Sequence, residues 1–200
     1  SEMCIRDRLR EAKKELKRIL QASKSKDMIL FVGMPWMHKG KLYNVAAVLN
    51  RGRILGIVPK KHLPNYSEFY ELRHFNPGME KVEMTDWEGV QVPMGMNLLF
   101  ACRTMLELVL AAELCEDVWV PCPPSISHAL AGATVIANCS ASDETTGKDQ
   151  YRYNLICGQS ARLVCGYIYA NAGEGESSQD LVFGGQNIIA ENGTCLVQSD

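Results

Sequence analysis

The sequence predicts an α/β domain, because strand-like and helix-like segments alternate along most of the chain. Its 200 residues, 46% of them hydrophobic, are enough for one domain with a sizeable core. Residues 106–114 and 133–137 are continuous apolar runs, and residues 125–130 between them have a helical pattern after a Pro-rich start. Such an arrangement is typical of a strand, helix, strand unit whose sheet is covered on its faces.

The first half of the chain predicts one helix followed by paired strands. Residues 9–20 place apolar side chains at helical spacing with charges opposite, so we expect an amphipathic helix on the outside of a sheet. Residues 28–32, 45–49 and 54–58 are short runs of β-branched and aliphatic residues. Arg51-Gly52 predicts a tight hairpin between the last two runs.

The second half continues the alternation after the strand, helix, strand unit. Residues 151–164 predict a helix, residues 166–170 a strand and residues 173–178 a loop. Residues 187–190 and 195–197 predict two strands that pair around Glu191-Asn192-Gly193. We find no repeat or linker, which predicts a single partial domain over residues 9–200.

The ends of the sequence predict a fragment. Residues 1–8 have no apolar period, so we interpret them as a junction that is not native. An α/β domain that opens on a helix is expected to lack its first strand.

Composition limits the function. A net charge of −2 gives no electrostatic footprint for nucleic acid, and no apolar run reaches the roughly 18 residues that cross a bilayer. We therefore predict a cytoplasmic protein with no nucleic-acid or membrane partner. The eight cysteines contain no CxxC pair, which favours buried free thiols over disulfides or a metal cluster.

Cys115 and Lys60 are the candidate catalytic residues. Cys115 directly follows the apolar run 106–114, at the carboxyl end of a predicted strand, and Lys60 ends another strand after Pro59. An ammonium group near a thiol raises the fraction of thiolate and can stabilise an oxyanion. Lys61 is expected to point to the opposite face, because strand side chains alternate. This pair predicts a thiol-dependent amide hydrolase.

Four sequence blocks together resemble a known family. Residues 60–71 read KKHLPNYSEFYE and are followed by RHFNPG at 73–78. VGMP at 32–35 and LYNVA at 42–46 come before them, and CEDVWVP at 115–121 and AGEGES at 172–177 come after. The order and content of these blocks resemble the nitrilase superfamily, in the form found in glutamine-dependent NAD synthetases, over about residues 9–200.

The resemblance implies a four-layer α-β-β-α sandwich, truncated at both ends here. It implies a glutaminase domain that takes ammonia from glutamine and passes it to an ATP-dependent synthetase domain, which amidates nicotinic acid adenine dinucleotide to NAD. It also implies a homo-oligomer. ATP and Mg would belong to the synthetase domain, which lies outside residues 1–200, and the glutaminase half-reaction needs no cofactor or metal.

The resemblance also assigns site residues. Cys115 is the nucleophile and Lys60 its partner, and the general-base glutamate of the family lies upstream, in a segment that this sequence does not contain. The assigned substrate-binding residues are Glu71, which supports Lys60 and receives the substrate ammonium, the pocket walls Tyr66 and Trp119, and Ser142 and Lys148, which hold the glutamine carboxylate and amide.

Three acidic residues lie close together in the sequence around Lys148. Asp143, Glu144 and Asp149 cluster in one loop without His or Cys at ligand spacing, so we interpret them as a solvated rim rather than a metal site.

One alternative function is a stand-alone nitrilase-type amidase or carbamoylase with the same Lys60 and Cys115 chemistry. The other is a non-catalytic sandwich scaffold that lacks its base.

Overall fold

A computed structural model describes residues 2–176 and 181–199. The chain folds into three helices and eleven strands in these ranges. In chain order they are α1 Glu2–Ser23, β1 Ile29–His38, β2 Lys41–Asn50, β3 Arg53–Pro59, β4 Glu83–Trp87, β5 Val90–Met94, β6 Phe100–Ala101, β7 Val109–Leu114, α2 Pro124–Leu130, β8 Val135–Ser140, α3 Lys148–Leu163, β9 Gly166–Asn171, β10 Asn187–Glu191 and β11 Thr194–Ser199. Short 3₁₀ turns occupy Glu71–Arg73 and Cys115–Val118.

The first sheet has the strand order β1-β2-β3-β5-β4 and is antiparallel except between β3 and β5. Two-residue turns join its first three strands. Lys39-Gly40 and Arg51-Gly52 both have positive φ at each position, as type I′ hairpin turns require. The hairpin predicted at Arg51-Gly52 is therefore confirmed.

The second sheet has the strand order β11-β10-β9-β8-β7-β6. Its central strands β7, β8 and β9 are parallel, and the helices α2 and α3 make the two crossovers between them. Parallel strands need such crossovers, and their carboxyl ends lie along one edge of the sheet. The predicted strand, helix, strand unit is confirmed, and so is the terminal pair β10 and β11.

The two sheets lie face to face between layers of helix. α1 buries Leu16 and Leu20 against the first sheet, and α3 buries Ile156 and Cys157 against the second. Between the sheets, the fully buried side chains are mostly small and comprise Ala46, Val48 and Val58 of the first sheet and Ala112 and Leu114 of the second. Larger, partly buried side chains pack around them, namely Ile29, Phe31, Leu98 and Phe100. The predicted α-β-β-α layering is confirmed.

α1 is longer than predicted. The sequence predicts a helix at residues 9–20, whereas α1 spans Glu2–Ser23. Residues 2–8, interpreted from the sequence as a junction, continue this helix. None of the helices in residues 2–176 and 181–199 combines the length and the apolar character that a membrane span needs.

Two other segments differ from the sequence predictions. The strand predicted at 106–114 begins only at Val109, because Met105 and Leu106 lie in an exposed loop before it. The hairpin of β4 and β5 was not predicted, since its strands are short and partly polar. Of the predicted loop 173–178, Ser177 and Ser178 lie outside the described residues.

Candidate active site

Cys115 lies at the carboxyl edge of the parallel strands, where β7 ends and a 3₁₀ turn begins. Its φ of 43° is in the left-handed region, which is uncommon for a residue with a Cβ. Its backbone N–H donates to Asn138 Oδ1 at 2.9 Å, and its side chain is partly exposed. The thiol is therefore held in an unusual backbone conformation at a point that a substrate can reach.

Lys60 is almost fully buried directly after β3. Its backbone N–H donates to the Asn44 carbonyl at 2.8 Å, so that it extends the pairing with β2. Its Nζ donates to Glu71 Oε2 at 2.5 Å, and Asn44 Nδ2 donates to Glu71 Oε1 at 2.5 Å. Only 2% of Lys60 is exposed, so its ammonium group depends on Glu71 for charge compensation. The structure thus brings together two of the residues assigned by resemblance.

Asp117 connects the lysine segment to the cysteine turn. Its carboxylate accepts N–H groups from Lys61 and His62 on one side and from Leu114 on the other. Burial raises the pKa of Asp117 to about 6, although these hydrogen bonds and the charge of Lys60 act in the opposite direction. Three donors on one buried carboxylate fix the segment after Lys60 relative to the turn that carries Cys115.

Tyr66 and Glu116 form a second link between the same two segments. The Tyr66 hydroxyl donates to Glu116 Oε2 at 2.9 Å, and its ring packs edge-on against Phe69. Burial raises the pKa of Tyr66, and the bond to Glu116 adds to this rise. Tyr66 is still 54% exposed. It therefore lies at the rim of the site, beside the residue that follows Cys115.

Trp119, Tyr151 and Lys148 form a polar and aromatic surface next to the cysteine turn. The rings of Trp119 and Tyr151 stack with 5.5 Å between centroids, and Lys148 Nζ lies 5.5 Å from the centre of the Trp119 ring. Lys148 also forms an ion pair with Asp143, which is buried. Its positive charge is thus already balanced, so a substrate carboxylate would share it with Asp143.

Ser142 is buried beside Arg152. The Ser142 backbone N–H donates to Asn171 Oδ1 at 2.8 Å, and the Arg152 guanidinium approaches Ser142 Oγ at 3.4 Å. Arg152 is fully buried and also binds Glu144 Oε2 at 3.1 Å and Gln186 Oε1 at 2.5 Å. Ser142 is therefore part of a rigid network of buried polar groups.

The interpretation of Asp143, Glu144 and Asp149 as a solvated rim is wrong for Asp143, which is buried, and the three side chains have different partners. Asp143 pairs with Lys148 and Glu144 with Arg152, whereas the Asp149 side chain is exposed in the first turn of α3. Among residues 2–176 and 181–199, no group of three or more His, Cys, Asp or Glu side chains converges as metal ligands would.

Three buried polar residues near Cys115 were missed from the sequence: Glu113, Asn138 and Tyr167. Tyr167 donates to Glu113 Oε1 at 2.5 Å and accepts from Asn138 Nδ2 at 3.1 Å. Burial raises the pKa of Glu113 to about 7, partly offset by bonds from Tyr167 and the Ser125 N–H. A carboxylate in the apolar run 106–114 was the one local signal for this network.

The fold and the site together define an enzyme of the carbon–nitrogen hydrolase type. A partly exposed cysteine begins a tight turn after a buried parallel strand, and a buried Lys60–Glu71 pair is tied to that turn through Asp117. These groups are of the types that acyl transfer requires, a nucleophile and a cation that can stabilise an oxyanion.

The chain belongs to the carbon–nitrogen hydrolase family, whose sequence pattern matches residues 6–200. Among curated proteins it is similar to the glutamine-dependent NAD(+) synthetase of Mycobacterium tuberculosis strain H37Rv, with 47% identity over 172 residues. That alignment covers 86% of this chain and 25% of the relative. The glutamine-dependent NAD(+) synthetase of Aquifex aeolicus is 32% identical over 181 residues, which cover 90% of this chain and 28% of the relative.

Solved structures agree with the fold. A glutamine-dependent NAD(+) synthetase from Cytophaga hutchinsonii superposes with a TM-score of 0.81 at 27% identity, covering 94% of this chain and 30% of that one. An amidase of the nitrilase superfamily from Nesterenkonia AN1 superposes with a TM-score of 0.73 at 17% identity, covering 99% of this chain and 67% of that one. The chain thus spans about a quarter of the length of the curated relatives reported above.

Proposed function

We propose that this chain is the glutaminase part of a glutamine-dependent NAD synthetase. The observation that carries this proposal is the set of contacts among Lys60, Glu71, Asp117 and the Cys115 turn, in a chain 47% identical to a relative of that name. These contacts place a buried ammonium group and a partly exposed thiol on two segments that are fixed to each other.

The reaction begins when the Cys115 thiolate attacks the side-chain amide carbon of glutamine. Lys60 and the N–H after Cys115 stabilise the oxyanion, the C–N bond breaks, and ammonia leaves with the proton that a general base returns to it. Water then attacks the thioester, which releases glutamate and the thiol. The sequence resemblance assigns the general base to a glutamate that is not among the residues of this sequence.

The proposed glutamine contacts surround this centre. Lys148 and Ser142 hold the carboxylate and amide, Tyr66 and Trp119 form the pocket walls, and Glu71 receives the substrate ammonium. Lys148 supports this assignment because its ammonium group lies over the Trp119 ring, although it also pairs with Asp143. A lysine offers a point charge rather than a bidentate fork, so its hold on the carboxylate is less directional than that of an arginine.

The remaining steps are proposals about the longer protein. Ammonia passes to a synthetase domain, where ATP and Mg support amidation of nicotinic acid adenine dinucleotide to NAD. The proposal includes a homo-oligomer in the cytoplasm. The glutaminase half-reaction is proposed to need no metal or cofactor, because the nucleophile, cation and base are all side chains.

Ammonia release by the full-length protein tests the proposal. We would compare glutamine with asparagine, a simple nitrile and an N-carbamoyl amino acid, in wild type and in Cys115→Ala. Cys122→Ala is the matched control, because Cys122 is an exposed thiol a few residues further along the chain.

Three outcomes separate the candidate functions. Release from glutamine alone, lost only in Cys115→Ala, supports the glutaminase. Cys115-dependent hydrolysis of the other compounds moves the protein to the stand-alone amidases or carbamoylases. Activity on none of the four substrates supports the scaffold and contradicts the proposal.

A further inference from the structure

Hydrogen bonds lead from a buried carboxylate to the backbone of the nucleophile. The Tyr167 hydroxyl donates to Glu113 Oε1 at 2.5 Å, and Asn138 Nδ2 donates to the Tyr167 oxygen at 3.1 Å. The Cys115 N–H then donates to Asn138 Oδ1 at 2.9 Å. Glu113, Tyr167 and Asn138 are each at most 1% exposed, so water does not compete for these bonds.

Each group in this series donates to the next, from the Cys115 N–H through Asn138 and Tyr167 to Glu113. Glu113 Oε2 accepts the Ser125 N–H at 2.8 Å, so both Glu113 oxygens are acceptors. Because Tyr167 has a single proton and gives it to Glu113, its oxygen must accept from the Asn138 amide nitrogen. The other end of that amide, its oxygen, then faces the Cys115 N–H. The Glu113 carboxylate thus favours, together with the Cys115 N–H and Ser140 Oγ, the orientation in which the Asn138 oxygen faces Cys115.

Cys115 needs such an acceptor because its backbone is strained. A residue with a Cβ at a φ of 43° persists only where surrounding bonds fix it. The orientation of the Cys115 peptide determines where Sγ lies and where the following N–H points. Ser140 Oγ also donates to Asn138 Oδ1, at 2.7 Å, and thereby holds the same amide oxygen in place.

We propose that Asn138 is a positioning residue for Cys115, and that Glu113, acting through Tyr167, orients the Asn138 amide for this role. The importance of this positioning for ammonia release rests on the proposed function. The effect of the positioning on the reactivity of the Cys115 thiol does not, because a small electrophile needs no glutamine pocket.

The direction of donation along this series of hydrogen bonds provides the test. In Glu113→Gln, the new amide must present N–H groups to Tyr167 or to the Ser125 N–H. If it donates to Tyr167, the Tyr167 proton turns toward Asn138, and the Asn138 amide flips its nitrogen toward the Cys115 N–H. Adding Asn138→Asp removes this conflict, because a carboxylate accepts from both Tyr167 and Cys115.

The measurement is the rate of Cys115 alkylation by iodoacetamide in the full-length protein, followed by mass spectrometry of the Cys115 peptide. Rates are compared at the high-pH plateau, where the thiol is ionised in every variant. Where the new amide donates to Tyr167, we expect Glu113→Gln to react about tenfold more slowly, since small misplacements of reacting atoms have at least this effect. The kcat for glutamine should fall in parallel while KM changes by less than about threefold. An unchanged rate in both Glu113→Gln and Tyr167→Phe overturns the proposal.

The double variant Glu113→Gln/Asn138→Asp decides between positioning and a merely structural role. Positioning predicts that its plateau rate returns to within about threefold of wild type, because the acceptor for the Cys115 N–H is restored. A double variant as slow as Glu113→Gln, or slower, overturns the proposal.

Tyr167→Phe keeps the test decisive if a substitution at Glu113 prevents folding. It preserves the ring but removes the link, so we expect the same slowing of alkylation, and an unchanged rate overturns the proposal. Tyr43→Phe is the control, because Tyr43 is a buried tyrosine in the core between α1 and the first sheet. If wild type releases no ammonia from glutamine, the proposed function fails while the alkylation rates still test the positioning.

Discussion

The Asp117 carboxylate links the segment after Lys60 to the turn that carries Cys115. In Asp117→Asn, the carbonyl oxygen can keep the N–H groups of Leu114 and Lys61, but the new NH₂ group faces the His62 N–H. We expect a loss of about 1–3 kcal/mol in unfolding free energy, because a buried donor is left without an acceptor. Urea unfolding followed by tryptophan fluorescence measures it. Asp7→Asn, at an exposed position of α1, should change little, and equal stability of the two variants would contradict this role.

The buried Glu113 carboxyl leads to a prediction about how the stability of the protein depends on pH. Burial raises the pKa of Glu113 from 4.5 to about 7, so the folded protein binds this proton more tightly than the unfolded chain. Its contribution to stability is therefore complete below pH 4.5 and is lost as the pH rises through about 7. Relative to Glu113→Gln, wild type should lose up to about 3 kcal/mol of unfolding free energy between pH 4 and pH 8. Parallel pH dependence of the two proteins would rule this out.

Candidate site residues that directly follow a predicted strand could be located from the sequence. Residues that reach the site only through the pairing of distant strands could not. Cys115 and Lys60 follow predicted strands, so their positions were readable from the chain alone. Asn138 reaches the Cys115 turn only because β8 pairs with β7 in the register that sets Glu113 opposite Asn138. Tyr167 joins them from β9. No short segment of sequence contains that information.

The hairpin turns show which sequence signals are sufficient to predict a turn between two strands. Lys39-Gly40, Arg51-Gly52, Glu88-Gly89 and Asn192-Gly193 all have two successive positive φ values. The turns at Arg51-Gly52 and Asn192-Gly193 were predicted because apolar runs flank them. The turn at Glu88-Gly89 was missed because β4 alternates buried and exposed positions over only five residues.

The helix α1 makes a prediction of its own. Leu16 is 1% exposed and packs in the core of the first sheet. Leu16→Ala should lower the unfolding free energy by about 3 kcal/mol, because it removes buried methyl groups and leaves a cavity. Lys14→Ala, on the exposed face of the same helix, should cost less than about 0.5 kcal/mol. Urea unfolding compares the two, and similar losses would mean that α1 does not rest on this sheet as described.

At the scale of the whole molecule, the sequence pattern alone did not separate the two sheets. Alternating strands and helices indicate an α/β domain, but they do not say how many sheets the strands form. The two-sheet sandwich came from the family resemblance. The small residues between the sheets have no distinctive local pattern, because alanine is common in strands and helices alike.

The candidate catalytic residues Lys60 and Cys115 lie on opposite sides of this interface, which leads to the last prediction. Lys60 follows β3 of one sheet and Cys115 follows β7 of the other, and the sheets meet through small side chains that include Ala112. Ala112→Leu overfills that contact, so we expect a loss of about 1–3 kcal/mol in unfolding free energy. Because the added volume pushes β7 away from β3, alkylation of Cys115 by iodoacetamide should also slow. Ala22→Leu, at an exposed position of α1, is the matched control and should change neither quantity. If Ala112→Leu lost stability but kept the wild-type alkylation rate, the distance between the sheets would not control the site.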